Sequence, residues 1–516
     1  MSDTPSPHDT YTSPLAARNA SPEMLRLWSP RHKFNTWRRI WLAVAEAQHE
    51  VTKDRDGGPL VTKAQVDTLR TVVERGITDA ELARAAELER DLRHDVMAHV
   101  HCLGESCPEA KAIIHLGCTS QDVVCNADTD IIDDALGLTL TKAIRFVNDL
   151  AKFADRTKSI PTLGFTHYQP AQPVTVGRRA ATWAYDGKLA FDWAESAVAH
   201  SWDRGLKGAT GTQASFLGLF DDDGDLVDAL EQAYKHRLCG RDIETESGEG
   251  ELVNGMLSLS THIISGQTYP RVQDTFVLSG LASIAAVLHK IATDIRLLSN
   301  RKEIDEPFGS KQIGSSAMPY KRNPMKCERI CGLARFVMNL VGNAYDTAAT
   351  QWLERTLDDS SNRRLSLPEA FLALDGALDL MHQVASGLVV HEAMVRRNLM
   401  AELPFLATEH ILMETVKAGG DRQEYHEIIR AHAQEAGLRV KSEGLDNDLL
   451  DRIQADPAFH PPALKHELDW SGLMDPMRYV GRSVEQTERF LAEVIEPLRE
   501  RYADELAELG GSDRGV

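Results

Sequence analysis

Apolar residues recur at three- and four-residue spacing through most of this chain. Between Phe34 and Val51, the residues Phe34, Trp37, Trp41, Val44 and Ala45 fall on one helical face. Ser29-Pro30 just upstream offers a capping hydroxyl and a proline suited to a first turn. Three stretches are much longer. Gln121 to Lys158 carries Ile131, Ile132, Ala135, Leu138, Ile144, Val147, Leu150 and Phe153 with no internal proline. Val174 to Arg204 carries Trp183, Leu189, Trp193 and Val198, and Val272 to Asn300 carries Phe276, Leu281, Ile284, Leu288, Ile291 and Ile295. Helices of ~30 residues run about 45 Å, well beyond the globular mean of about 11–12 residues. Soluble chains hide such helices by bundling them, often between subunits. Only short Thr-, Val- and Ile-rich segments are left for strands, so the pattern predicts an all-α fold.

Turn chemistry separates the long stretches. Ser159 to Pro173 holds Pro161, Gly164, Pro170 and Pro173, and reads as a turn between helices. Phe220 to Gly224 is an acidic turn, Arg241 to Asn254 is polar and looks inserted, and Gly309 to Pro324 is a polar loop with glycines at Gly309 and Gly314. Gly419-Gly420 marks another break, followed by shorter helical segments. These breaks predict three helical domains: residues 1–118, with 1–15 a disordered leader; a central long-helix bundle over 119–390; and 391–516, frayed from Gly510 to Val516. No internal repeat is visible.

Composition narrows the function. Across 516 residues, Lys+Arg number 57 and Asp+Glu 77, a net charge of −20. That excess argues against general nucleic-acid binding and against docking on anionic membranes, while leaving room for an anionic small substrate held by clustered arginines. No apolar run approaches the ~18 residues of a membrane span, and the Phe276 to Leu288 candidate is broken by Ser279 and Ser283. The protein is expected to be soluble and cytoplasmic. Seven cysteines fit reduced thiols better than a disulfide framework. His99, His101, Cys102 and Cys107 are close enough to raise a metal site, but no second ligand pair follows at zinc-ribbon distance; buried or half-buried thiols are the preferred reading.

Chemistry concentrates first in Gly314-Ser315-Ser316-Ala317-Met318-Pro319-Tyr320-Lys321-Arg322-Asn323-Pro324. Two hydroxyls, an ammonium, a guanidinium and an amide lie within nine residues. Gly309-x4-Gly314 echoes a phosphate loop, yet Ser315 stands where that motif requires lysine. On the residues alone, a functional loop and an ordinary turn capped by Pro324 stand about even. The segment closely resembles the signature loop of the fumarase/aspartase lyase superfamily, Ser-Ser-x-Met-Pro-x-Lys-x-Asn. Its Tyr-Lys-Arg-Asn-Pro continuation, and Gln351 to Arg364 downstream, look most like the adenylosuccinate lyase family. The resemblance runs from about Arg18 to about Leu498.

The resemblance implies roles for other motifs. Thr166-His167-Tyr168-Gln169-Pro170-Ala171-Gln172 matches a motif whose histidine protonates the leaving nitrogen; a lone turn histidine would otherwise read as structural. Arg93-His94-Asp95 is similar to a His-Asp pair in the family's substrate site, against the plainer reading of a helix-face histidine beside Asp95. Gly117-Cys118-Thr119-Ser120-Gln121-Asp122 reads as a capping box, and also as the family's Thr-Ser pair on a substrate carboxylate. Arg18, Arg329, Arg355, Arg364 and Ser360 match positions that grip nucleotide phosphate and neighbouring groups, and Gln267 matches a substrate contact. Asn19 stands where an aromatic is expected beside Arg18, which weakens or hydrates that contact. The glycines of Arg204-Gly205-x2-Gly208-x2-Gly211 read as backbone-packing positions.

The implied reaction is β-elimination of fumarate from adenylosuccinate to give AMP, and from the succinyl-aminoimidazole carboxamide ribotide of purine synthesis. Ser315 is the expected base and His167 the acid, with His94 as a second imidazole and Lys321, Asn323, Thr119, Ser120 and Gln267 on the succinyl part. This chemistry needs no metal or organic cofactor. The implied assembly is a homotetramer with sites shared between chains. Alternatives are a sister lyase acting on argininosuccinate and a catalytically dead structural relative.

Overall fold

The computed structural model describes residues 9–199, 202–239, 261–309, 311–470 and 472–508. The start of the expected leader, the Arg241 to Asn254 stretch and the Gly510 to Val516 end lie outside the described residues.

Helices carry the architecture, as the periodicity predicts. The long stretches appear as Ser120–Thr157, Val176–Ala199 and Gln273–Asn300, and two more long helices follow, Met325–Ala349 and Asp358–Gly387. The described part of the second ends at Ala199, short of the expected Arg204, which lies in an irregular segment. Gln273–Asn300 is, by length and composition, apolar enough to cross a membrane, although its serines and charges interrupt every apolar run. Its most apolar window is 56% buried inside the protein, as befits a core helix. The expected boundaries near 118 and 390 fall at element ends, just before Ser120 and at the short strand Val389–Val390.

Contacts divide the chain into two compact units. The first comprises Met1–Lys142, Leu189–Ala286 and Gly332–Asp379. Its first long helix, Pro30–Thr52, starts where predicted: the Ser29 hydroxyl accepts the His32 N–H at 3.2 Å and Pro30 occupies the first turn. Trp37, Ile40, Trp41 and Val44 turn into a core completed by Val66, Leu69, Leu103, Phe216, Leu230 and Tyr234. Capping boxes begin the next two helices, Thr62 with Gln65 and Thr78 with Glu81.

The second unit comprises Ala143–Lys188, Val287–Cys331 and Leu380–Val516. Here the expected turn from Ser159 to Pro173 is corrected: it is a β-hairpin, Pro161–Thr166 against Gln169–Thr175, paired antiparallel with a register shift between Thr162 and Gly164. Three prolines argued against strands. A two-stranded ribbon leaves each strand one unpaired edge, where a missing N–H costs nothing. The hairpin packs on helix Glu392–Leu406. A further core forms around Ile411, Tyr425, Ile429, Leu449 and Phe459.

Candidate active site

A cavity of about 1090 Å³ opens in the first unit. Four pieces of local structure build its wall. Helix Asp79–Leu92 ends on Arg93, whose left-handed backbone (φ 54°) turns the chain sharply. His94 then caps helix Asp95–Ser106, accepting the Met97 N–H at 3.4 Å. The corner therefore sends Arg93, His94 and Asp95 into the lining together. The second piece is the start of Ser120–Thr157, where the Ser120 hydroxyl lies 3.4 Å from His94 Nε2.

Asp122 holds that helix start in place. One carboxylate oxygen accepts the Thr119 N–H at 2.7 Å. The other pairs with buried Arg204 and accepts the N–H groups of Lys207 at 2.8 Å and Gly208 at 3.1 Å. Half of the expected capping box is thus present, and it accounts for the Thr119 amide. Of the three glycines read as backbone-packing positions, Gly211 (φ 86°) is one, since a Cβ there would stand 1.8 Å from the Ser265 carbonyl oxygen; Gly205 and Gly208 face the side chains of Glu231 and Ser215 instead.

The third piece is the first turns of Asp358–Gly387. Ser360, Arg363, Arg364 and Leu367 recur at the spacing of one helical face and line the cavity. Arg364 pairs with Asp95 at 2.9 Å. Burial opposes the Asp95 carboxylate, but the Val96 N–H and Arg364 outweigh it and hold its pKa below the ordinary range. Gln267 and Arg355, bonded to each other at 3.1 Å, join this wall. Beneath it, Arg271 and Arg355 both reach Asp359, at 2.7 and 3.3 Å. Arg363 is held by Asp274 at 2.6 Å and Asp128 at 2.8 Å.

The fourth piece is the N-terminal end of Pro30–Thr52, which brings Trp28, Pro30, Lys33 and Phe34 to the lining.

Nine of the residues expected from sequence share this cavity: Arg93, His94, Asp95, Thr119, Ser120, Gln267, Arg355, Ser360 and Arg364. Arg18 and Asn19 belong to the same unit but not to the lining; the Asn19 amide donates instead to the Pro14 carbonyl at 2.8 Å. Thr166, His167, Ser315, Lys321, Asn323 and Arg329 belong to the second unit. There, His167 and Tyr168 form the two-residue tip of the hairpin, both left-handed (φ 52° and 58°), which places His167 on an exposed turn next to Thr166. That geometry matches the right-handed twist of the strands, and it is sparsely populated by residues other than Gly, Asn and Asp. The signature loop folds on itself. The Asn323 amide donates to the Gly314 carbonyl at 2.8 Å, and Ser315 Oγ accepts the N–H groups of Met318 at 3.1 Å and Ala317 at 3.4 Å. Lys321 is exposed, and Arg329 sits half-buried on Met325–Ala349.

Sequence reasoning missed Lys33, Arg271 and Arg363. Arg271 and Arg363 give no signal short of their burial. Lys33 left one trace, a cation just behind the first turn of a helix. The Cys102 and Cys107 thiols, once weighed as metal ligands, are buried and donate to the carbonyls of Glu81 at 3.3 Å and Leu103 at 3.1 Å.

Comparison with known proteins identifies the relatives of this chain. Residues 404–490 match a family model described as adenylosuccinate lyase C-terminus, and residues 17–209 and 257–339 match one described as lyase. The adenylosuccinate lyase of Saccharomyces cerevisiae is 45% identical over 506 residues, covering 97% of this chain and 99% of that one. The Schizosaccharomyces pombe enzyme of the same name is 45% identical over 510 residues, with the same coverage. Among solved structures, a fumarate lyase from Mesorhizobium sp. BNC1 (TM-score 0.74, 22% identity, 94% of this chain and 99% of that one) shares the fold. So does a 3-carboxy-cis,cis-muconate lactonizing enzyme from Pseudomonas putida (TM-score 0.75, 23% identity, the same coverage). The near-complete match at this identity settles the relationship: the chain belongs to the adenylosuccinate lyase family of lyases.

Proposed function

We propose that this enzyme eliminates fumarate from adenylosuccinate to give AMP, and performs the same elimination on the succinyl-aminoimidazole carboxamide ribotide. The observation that carries the reading is the 45% identity to named adenylosuccinate lyases over nearly the whole chain; the cation-lined cavity is its physical counterpart. In the proposed step, Ser315 removes a proton next to a substrate carboxylate, and those electrons form the carbon–carbon double bond as the carbon–nitrogen bond breaks. His167 then protonates the departing nitrogen. A serine hydroxyl serves as a base only if its anion is stabilised. The Met318 and Ala317 N–H groups directed at Ser315 Oγ supply that stabilisation. Thr119, Ser120, Gln267, Lys321 and Asn323 are proposed to hold the succinyl carboxylates, His94 to orient the reacting groups, and the arginines with Ser360 to hold phosphate.

The working form is proposed to be a cytoplasmic homotetramer whose sites draw on several chains. Exposed Tyr185, Leu189 and Trp193 on Val176–Ala199, and Phe336 and Tyr345 on Met325–Ala349, support self-association through the long helices. The test is ultraviolet monitoring of the purified protein with adenylosuccinate and argininosuccinate in parallel. Turnover of adenylosuccinate alone is expected; turnover of argininosuccinate alone would assign the chain to the sister activity.

A further inference from the structure

The start of Pro30–Thr52 breaks a local rule. Its first turn holds Arg31 and His32, with Lys33 next, and no acidic residue, although the positive end of a helix dipole disfavours cations. Arg31 is matched by Asp79, and His32 lies 3.9 Å from Asp134. Lys33 has no carboxylate within 4.0 Å among the described residues. Its ammonium rests instead on aromatic faces, 4.9 Å from the Trp37 ring centre and 5.4 Å from that of Phe34. The stem is half-buried and the side chain lines the cavity. Charge around it is mixed: Asp128, Asp95 and Glu89 favour the ammonium and Arg364 opposes it. Burial is the largest influence and draws the pKa below the ordinary lysine range. Asp128 and Asp95 are already engaged, by Arg363 and Arg364.

A cation placed at a helix N-terminus, half out of water and short of a counter-ion, is an arrangement that an incoming anion completes. We propose that Lys33 is a further ligand-binding residue of this cavity, its ammonium taking an oxygen of the nucleotide's phosphate monoester. The inference rests on the proposed function, which already gives the succinyl carboxylates to Thr119, Ser120 and Gln267. Arg364, whose charge acts on Lys33, stands one turn beyond Ser360 among the groups given to phosphate. A dianion has charge enough to satisfy both cations.

The test is equilibrium binding of AMP, adenosine and fumarate, each measured separately, to the native protein, Lys33→Gln and Lys33→Arg. Loss of a charge-assisted hydrogen bond weakens binding by about tenfold or more. Lys33→Gln is expected to weaken AMP on that scale, to leave adenosine and fumarate unchanged, and to unfold at the native temperature; Lys33→Arg should regain most of the affinity. Lys33→Met keeps the stem on Trp37 and replaces the glutamine variant should that one unfold. Equal AMP affinity in the native and uncharged variants would overturn the assignment, as would a loss shared by adenosine or confined to fumarate. A native protein that binds no AMP would instead remove the proposed function, and this inference with it.

Discussion

Arg363 donates through Nε to an Asp274 oxygen at 2.6 Å, and both side chains are buried. Its neighbour Arg364 points its guanidinium to partly exposed Asp95 at the cavity wall. Two adjacent arginines therefore do different work. Burial pulls the Arg363 pKa down, but Asp274, Tyr269 and Asp128 outweigh it and hold the pKa well above the ordinary arginine value. Removing it strands Asp274 in the interior. Arg363→Ala is expected to cost about 3–5 kcal/mol, read as a lowered denaturation midpoint. Arg364→Ala should change stability by no more than about 0.5 kcal/mol while weakening AMP binding. Equal stability losses would contradict this division.

His99 stacks on Phe34 with ring centres 3.8 Å apart. Burial, with help from Arg38 and Lys33, lowers its pKa to about 4 from 6.5. The folded ring therefore stays neutral where the unfolded one takes up a proton. Between pH 6.5 and 4 the unfolded state binds more protons, so stability rises with pH and is lost on acidification, by up to about 3 kcal/mol. Urea midpoints at pH 7, 6 and 5 should fall in the native protein and fall less in His99→Gln. Parallel slopes would show that the ring is not responsible.

A Cβ on Gly314 would lie 2.2 Å from the Lys321 carbonyl oxygen, which is backbone and cannot swing aside. Gly314→Ala must therefore reopen the signature loop and displace Ser315. Misplacement by about 1 Å costs about a hundredfold in turnover. The loop is largely exposed, so the melting temperature should hardly move. A variant with native turnover would show that the loop's closure on Lys321 does not position the base.

His167→Ala and Ser315→Ala should each lower turnover by about a hundredfold or more. If sites are shared between chains, the two inactive proteins, dissociated, mixed and reassembled, should regain part of the native rate. Mixed tetramers confirmed by mass spectrometry that nonetheless stay inactive would place each complete site within one chain.

The helical frame was legible because its signal is long. Twenty-eight residues of period 3.6 in Gln273–Asn300 outweigh local noise, and Ser29-Pro30 marked a helix start to the residue. The hairpin was not legible, since Pro161, Pro170 and Pro173 argue against strands in general and are excused by a ribbon that has two strands among the described residues. At the site, Arg93 to Asp95, Thr119-Ser120, Ser360 and Arg364, each carried by a contiguous motif, line one cavity, whereas the His167 and Ser315 motifs belong to the second unit. The ion pairs beneath them were missed because their partners are distant in sequence. Arg363 meets Asp274, and Arg271 meets Asp359; nothing local separates such arginines from surface ones.

The cap on Asp95–Ser106 has a consequence for the imidazole that forms it. A ring nitrogen that accepts a hydrogen bond carries no hydrogen, so with Nδ1 receiving the Met97 N–H the neutral His94 has its proton on Nε2. That is the atom 3.4 Å from the Ser120 hydroxyl. The backbone bond that opens the helix thereby fixes the tautomer, and the ring presents an N–H donor to the Ser120 hydroxyl.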